Sequence, residues 1–170
     1  MMLERNGLSL NDVELITVNF SLSPSIISGQ VDAVIGAFRN FELNQMDIEK
    51  KPGRAFYPEE EGVPPYDELI YVANNAELDN PVLKKFLGVV ELATQYIVNH
   101  PEDAWDAFKA YDQKLNNELT RRAWRDTLPR FALRPSALDV GRYRRFAEFL
   151  KARKMLKATV PVSQYAVELN

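Results

Sequence analysis

Residues 31–45 read VDAVIGAFRNFELNQ. The apolar run from Val31 to Ala37 is interrupted only by Asp32 and Gly36, and Phe38-Arg39-Asn40-Phe41-Glu42 follows, with Asn44 and Gln45 close behind. A short β-branched and apolar run predicts a buried strand over Val31–Phe38. From Asn40 to Lys50 the pattern turns helical: Phe41, Leu43, Met46 and Ile48 are apolar, and Pro52-Gly53 stops the helix. A strand that runs into a helix start through a fringe of donors and acceptors belongs to an α/β fold. In open α/β sheets, ligands bind outside the carboxyl ends of the strands. The fringe is therefore the first place to look for a site.

The neighbouring residues extend the pattern. Met1 to Arg5 read as the last turn of a helix, with Asn6-Gly7 as its left-handed stop. Val13–Val18 (VELITV) follows Asn11-Asp12 and predicts a strand. Asn19-Phe20-Ser21 forms a loop, and Ser21 or Ser23 caps a short helix with Pro24 in its first turn, ended by Gly29-Gln30. Ala55-Phe56-Tyr57 predicts a brief third strand. Strand, helix, strand, helix, strand implies right-handed crossovers and a mostly parallel sheet.

The composition then shifts. Pro58-Glu59-Glu60-Glu61-Gly62-Val63-Pro64-Pro65 suits neither a helix nor a central strand, so it marks a boundary or hinge. Glu68–Ala73 (ELIYVA) predicts a further strand. Beyond Asp79 the chain reads as helix: one capped by Asp79 or Asn80 and carrying Val82, Phe86, Val89, Val90, Ala93 and Ile97, then Glu102–Tyr111, Asn117–Thr127 and Ser136–Leu156. The fold expected is α/β with a helix-rich C-terminal part. Four short strands are few for so many helices, which implies that part of the sheet lies outside this chain.

Composition narrows the function classes. Of 170 residues, 46% are apolar and 26% charged, the balance of a globular chain. The net charge of −3 argues against a polyanion-binding surface, so no nucleic-acid partner is expected. Arg142-Tyr143-Arg144-Arg145 lies among apolar residues at helical spacing and reads as a solvated basic face. With no cysteine, disulfides, thiolate catalysis and Cys-ligated metals are excluded. No run approaches a membrane span, and MMLERNGLSL lacks the basic-then-apolar pattern of a signal peptide.

Few motifs carry chemistry. The single histidine, His100, precedes Pro101 at a helix end and has no HxxxH or HExxH partner, so it reads as a C-terminal cap. Glu59-Glu60-Glu61 reads as a solvated run rather than a catalytic pair. No glycine-rich phosphate loop and no GxSxG elbow occurs. No catalytic residue, cofactor or metal is expected. What remains is the fringe: Asn19, Ser21, Asn40 and Glu42 at two strand ends, with Phe20, Phe38 and Phe41 beside them. Apolar rings next to a few directed polar groups describe a small-molecule site. Glu42 has a plain alternative, a carboxylate favoured by the dipole at a helix N-terminus.

These residues also carry a resemblance. ITVNFSLSPSIISGQVDAVIGAFRNFELNQ, GRAFYPEEEGVPPYDELIYVANNAEL, NHPEDAWDAF and RRAWRDTLPRFAL together resemble the C-terminal half of the NMT1/THI5-like substrate-binding proteins of ABC transporters, over essentially the whole chain. The resemblance implies a partial type II periplasmic-binding-protein fold. In it, residues 1–58 form part of the second lobe, 59–66 the crossover hinge and 67–170 the C-terminal part of the first lobe. It further implies a thiamine-precursor aminopyrimidine as ligand, of the formylaminopyrimidine or hydroxymethylpyrimidine type, and an ABC permease as partner. The full-length protein is then expected in the periplasm or anchored at the cell surface. Glu42 is implied to accept from the exocyclic amine, with Asn40 and Asn19 on other edge atoms. Phe41, Phe20 and Tyr66 supply contact surface, Ser21 lies beside them, and Arg39 holds Glu42 or a hinge carboxylate. A missing N-terminal half, or self-association in its place, is implied as a further partner. Two rival readings stand: a pyrimidine-synthase-like enzyme, whose pattern uses cysteines and a histidine with iron, and a binding protein for another organic solute such as a sulfonate.

Overall fold

The computed structural model describes residues 1–169. Seven α-helices form among them: α1 (Met2–Arg5), α2 (Leu22–Ile27), α3 (Glu42–Ile48), α4 (Pro81–Asn99), α5 (Pro101–Tyr111), α6 (Glu118–Thr127) and α7 (Val140–Ala152). Their starts follow the chemistry of capping. Pro81 opens α4, and the Asn80 Oδ1 accepts from the Val82 N–H at 3.0 Å. The Asn117 Oδ1 accepts from the Thr120 N–H at 2.8 Å, and the Asp139 Oδ1 from the Arg142 N–H at 2.9 Å. Each such cap is worth about 1 kcal/mol. The last helix is shorter than Ser136–Leu156 because Asp139, rather than a residue further upstream, supplies its cap.

Three helices end in the same closure. In α2, α3 and α7 a residue with positive φ follows the cap: Gly29 (74°), Lys50 (56°) and Lys154 (60°). The next N–H then reaches back across the last turn, Gln30 to the Ser25 carbonyl, Lys51 to Met46 and Met155 to Leu150, each at 2.9 Å. This satisfies carbonyls that a helix end otherwise leaves open.

No strand forms among the described residues, and this corrects the expected α/β fold with its mostly parallel sheet. Val13–Val18, Val31–Phe38, Ala55–Tyr57 and Glu68–Ala73 are all irregular. The reason is that a strand is defined by its neighbour. A β-branched run fits a pleated, half-buried surface, but it becomes a strand only when another backbone pairs with it. Here the runs break into turns instead. Gly36, inside Val31–Phe38, takes φ 96°. The Val18 carbonyl accepts from Ser21, the Phe38 carbonyl from Phe41 and Glu42, and the Tyr57 carbonyl from Glu60 and Glu61. Side chains meant for a sheet face solvent, with Ile35 92% and Leu69 85% exposed.

The chain divides into two compact units. One comprises Asn6–Phe56 and Thr94–Phe131. In it α3 packs on both α2 and α6. Met46, Ala104 and Trp105 are its buried apolar residues. Gly53 lies against Met46, where an added Cβ comes within 2.7 Å of the Sδ. Trp105, Phe108 and Trp124 form an aromatic triangle with centroids 5.1–6.0 Å apart. The Arg121 guanidinium lies 5.0 Å from the Trp105 ring and pairs with Glu102 at 2.5 Å.

The other unit comprises Met1–Arg5, Tyr57–Ala93 and the chain from Ala132 onward. Val162 is its buried apolar residue. The Arg5 Nη1 donates to the Glu60 carbonyl at 3.1 Å, Arg153 pairs with Glu4, and Arg142 pairs with Asp67. Tyr66 stacks on Phe146 at 4.8 Å, and the Tyr71 and Phe86 rings meet edge to face at 5.5 Å.

Lys50 and Lys154 occupy the left-handed region that glycine adopts without strain. Lys50→Gly and Lys154→Gly are each expected to raise unfolding stability by about 1 kcal/mol, seen as a higher urea midpoint. Gly29→Ala is expected to shift it the other way.

Acid acts on the opposite end of a helix. The Glu118 Oε1, in the first turn of α6, accepts from the Arg122 Nε at 2.7 Å. That hydrogen bond, and then the Arg122 charge, hold its carboxyl below the usual carboxylate range. Because the folded value is the lower one, the stabilisation is present above the ordinary carboxylate range. It is lost as pH falls through the folded value. Glu118→Gln is expected to flatten the loss of helical circular dichroism between about pH 5 and about pH 2.

Candidate functional site

The fringe found in the sequence lies at the start of α3. The Phe38 carbonyl accepts from the N–H groups of Phe41 and Glu42, both at 3.1 Å, so the backbone turns tightly into the helix. The Glu42 carboxylate reaches back, and its Oε2 accepts from the Phe38 N–H at 2.7 Å. The side chain is half-buried and fixed in direction by this bond. Its position in the first turn also sets it in the favourable field of the helix.

Two asparagines flank it. The Asn40 Nδ2 donates to the Thr127 Oγ1 at 2.7 Å. Asn44, one turn later, donates to the Asn40 carbonyl at 3.0 Å and to the Asp126 Oδ2 at 2.6 Å. Thr127 in turn donates to the Ala123 carbonyl at 2.6 Å. A polar ladder thus joins α3 to the C-terminal end of α6. The Ser23 hydroxyl, buried on α2, lies 3.5 Å from the Glu42 carbonyl and links the third helix of the group.

The other expected residues occupy distinct places. Asn19 turns the chain with φ 51°, a conformation that Asn tolerates through its short polar side chain. Phe20 is 100% exposed, and Ser21 precedes α2 without forming a side-chain cap. Arg39 is half-buried and Phe41 exposed. All of these belong to the unit that contains α3. Tyr66 belongs to the other unit, where it stacks on Phe146. A concavity of about 430 Å³ in that unit, lined by Val140, Arg144, Glu148, Val160 and Val162, contains none of the residues expected from the sequence.

The sequence reading missed Thr127 and Asp126 as partners of the fringe. The available signal was the pair Asn40 and Asn44, four residues apart across a helix start. Two amides in that position need acceptors from another element. His100 directly follows α4 and its N–H donates to the Tyr96 carbonyl at 2.8 Å, so it sits at the helix end as expected; it is also the residue before α5, and its ring lies against Tyr96 at 4.7 Å. Among the described residues no three His, Asp or Glu side chains gather to hold a metal. The arrangement offers a held carboxylate, amides and exposed rings, which can receive the amine edge and the face of a flat heterocycle.

The ladder carries the packing of α3 on α6. Asn40→Ala and Asn44→Ala are each expected to cost about 1 kcal/mol of stability. Because the two asparagines touch, the double variant is expected to depart from additivity by about 0.5 kcal/mol or more in denaturant titrations.

Comparison with known proteins places the chain. Residues 1–104 match the family model described as NMT1/THI5 like. A thiamine biosynthesis protein of Haemophilus influenzae is 51% identical over 170 residues, 99% of this chain and 54% of its own length. The formylaminopyrimidine-binding protein of Halalkalibacterium halodurans is 31% identical over 129 residues, 75% of this chain and 39% of its own length. A 4-amino-5-hydroxymethyl-2-methylpyrimidine phosphate synthase of Saccharomyces cerevisiae is 24% identical over 128 residues, 67% of this chain and 37% of its own length. The chain therefore spans about half the length of the Haemophilus protein and less of the other two. With the family model covering more than half of its residues, the chain belongs to the NMT1/THI5-like family.

Proposed function

We propose that this protein takes part in binding an aminopyrimidine precursor of thiamine, as the solute-binding component of an ABC importer on the extracytoplasmic side of the membrane. The observation that carries this reading is the Glu42 carboxylate, tethered by the Phe38 N–H at the start of α3 and flanked by Asn40. The relative named for binding formylaminopyrimidine supports the choice of ligand. An aminopyrimidine has an exocyclic amine for Glu42, ring nitrogens for the amides of Asn40 and Asn19, and a flat face for Phe20 or Phe41. Ser21 and Arg39 complete the proposed set. In this reading residues 59–66 act as a hinge between 1–58 and 67–170, and an ABC permease receives the loaded protein.

The yeast relative supports a second reading, an enzyme of pyrimidine synthesis. That pattern uses cysteines and a histidine with iron. The chain has no Cys and one His, whose ring is engaged with Tyr96, so binding is the better reading.

Calorimetric titration with formylaminopyrimidine, hydroxymethylpyrimidine and an alkyl sulfonate tests the proposal. The protein is used both alone and co-expressed with the unmatched part of the Haemophilus relative. Saturable binding of an aminopyrimidine is expected, and Glu42→Gln is expected to weaken it about tenfold or more, the loss of one charge-assisted bond. Binding of neither pyrimidine in either form overturns the reading. An affinity unchanged in Glu42→Gln removes Glu42 from the site.

A further inference from the structure

Seven of the chain's 21 basic residues fall between Val140 and Val160, against one of its 24 acidic residues, Glu148. Seven positive and one negative give this stretch +6 within a chain of net −3, which leaves −9 for everything else. The overall charge therefore conceals a sharply divided sequence.

Helix α7 sorts these charges by face. At about 100° per residue, Arg142, Phe146, Phe149 and Arg153 fall on one side. That side is held by the protein: Arg142 pairs with Asp67, Arg153 with Glu4, and Phe146 stacks on Tyr66 at 4.8 Å. Arg144 and Lys151 fall on the opposite side and are exposed, as are Lys154 and Lys157 beyond the helix. Among the described residues none of these four forms an ion pair, and Glu148, between Arg144 and Lys151, pairs with neither. Lys154 turns the chain with φ 60°, and Met155 and Leu156 follow it into solvent, Met155 with 71% of its surface exposed. Buried Val162 then fixes the returning chain beside α7, so that exposed Val160 borders the same concavity as Arg144.

We propose that the exposed side of α7 and residues 151–160 seat this protein on an anionic lipid surface. Lysine and arginine heads meet the phosphates, and Met155 and Leu156 enter the boundary between headgroups and acyl chains. Charge complementarity supplies the attraction, which acts within about 10 Å of the surface at about 0.1 M salt. The −9 on the remainder is repelled by the same surface, so the protein is oriented with its basic face down. The interleaved apolar residues select lipid among polyanions. Interfacial binding draws on buried apolar area and on electrostatic attraction together. A single-stranded nucleic acid is held instead by aromatic platforms beside the cations, and residues 151–160 contain no aromatic residue. The inference is independent of which solute the protein binds.

The test is sedimentation of the whole chain with phosphatidylcholine vesicles that contain or lack phosphatidylglycerol as roughly one lipid in three. Binding to the anionic vesicles is expected, with little to the neutral ones, and it is expected to weaken as NaCl rises from about 0.05 M to about 0.5 M. Lys151→Glu with Lys157→Glu is expected to lower the partition coefficient about tenfold or more. Met155→Asp is expected to lower it about threefold or more. In both variants circular dichroism is expected to keep its helical signal. Lys151→Gln with Lys157→Gln, which removes the charges without reversing them, replaces the reversed variant if that one fails to fold. Equal binding to both vesicle types, binding to neither, or binding unchanged in the lysine variants overturns the proposal. So does anionic binding that Met155→Asp leaves unchanged, or an RNA or acidic peptide bound as tightly as the vesicles, since the face then attracts anions without regard to lipid.

Discussion

Apolar surface that stays in water is the constraint on which the rest of this structure depends. Met46, Ala104, Trp105 and Val162 are its buried apolar residues, whereas Leu15, Ile35, Leu69, Val72 and many others lie open. Burial of a large apolar side chain contributes about 1.5–3 kcal/mol, and fixing one backbone residue costs about 1–2 kcal/mol. So few buried side chains do not hold a long chain in one arrangement by themselves. The local closures therefore matter more than usual. Asn80, Asn117 and Asp139 cap helix starts, and three reach-back bonds lock the ends of α2, α3 and α7. These define the helices one at a time. Contacts between distant residues include polar and aromatic ones: Asn40 with Thr127, Arg142 with Asp67, and the Trp105–Phe108–Trp124 triangle. Exposed ion pairs contribute little, about 0–1 kcal/mol each, less than buried aromatic packing of the kind around Trp105.

The same economy shapes the candidate site. A half-buried carboxylate left loose loses rotamer freedom when it meets a ligand, at about 0.5–1.5 kcal/mol for a long side chain. Glu42 has already lost that freedom, because the Phe38 N–H holds one oxygen. The anchoring bond does not exhaust it. An ionised carboxylate has about four acceptor positions, and one is in use. Asn40 is similarly committed through one amide hydrogen to Thr127, which leaves its second amide hydrogen and its amide oxygen for a ligand. In the proposed reading, the carboxylate accepts from an amine, and an amide hydrogen donates to a ring nitrogen.

What was legible in the sequence was local chemistry. Pro81 after Asn80, Asn117 before Glu118 and Gly29 after Ser28 mark helix ends through side-chain or backbone properties that need no distant partner, and the structure uses all three. The place of Glu42 in the first turn of α3 was legible for the same reason. What misled was Val13–Val18, Val31–Phe38 and Glu68–Ala73. Their composition is that of strands, but pairing is a property of two segments, and no pattern inside one segment supplies the second. Gly36 offered the one local warning, since a glycine within an apolar run accommodates the positive φ that breaks it. Thr127 and Asp126 were hidden for a related reason: they lie more than 80 residues from the asparagines they bind.

The strand-like runs and the helix α4 share one property. Leu69–Val72 and the row Val82, Phe86, Val89 both have the composition of buried surface and the exposure of outer surface. A random scatter of exposed apolar residues is ordinary and calls for no cause. Here they are ordered, spaced by four and three along one helix and joined through the Tyr71–Phe86 contact to a stretch with open backbone groups. Order of that kind carries a cost, because apolar surface in water favours burial, while the exposed backbone groups are met by water.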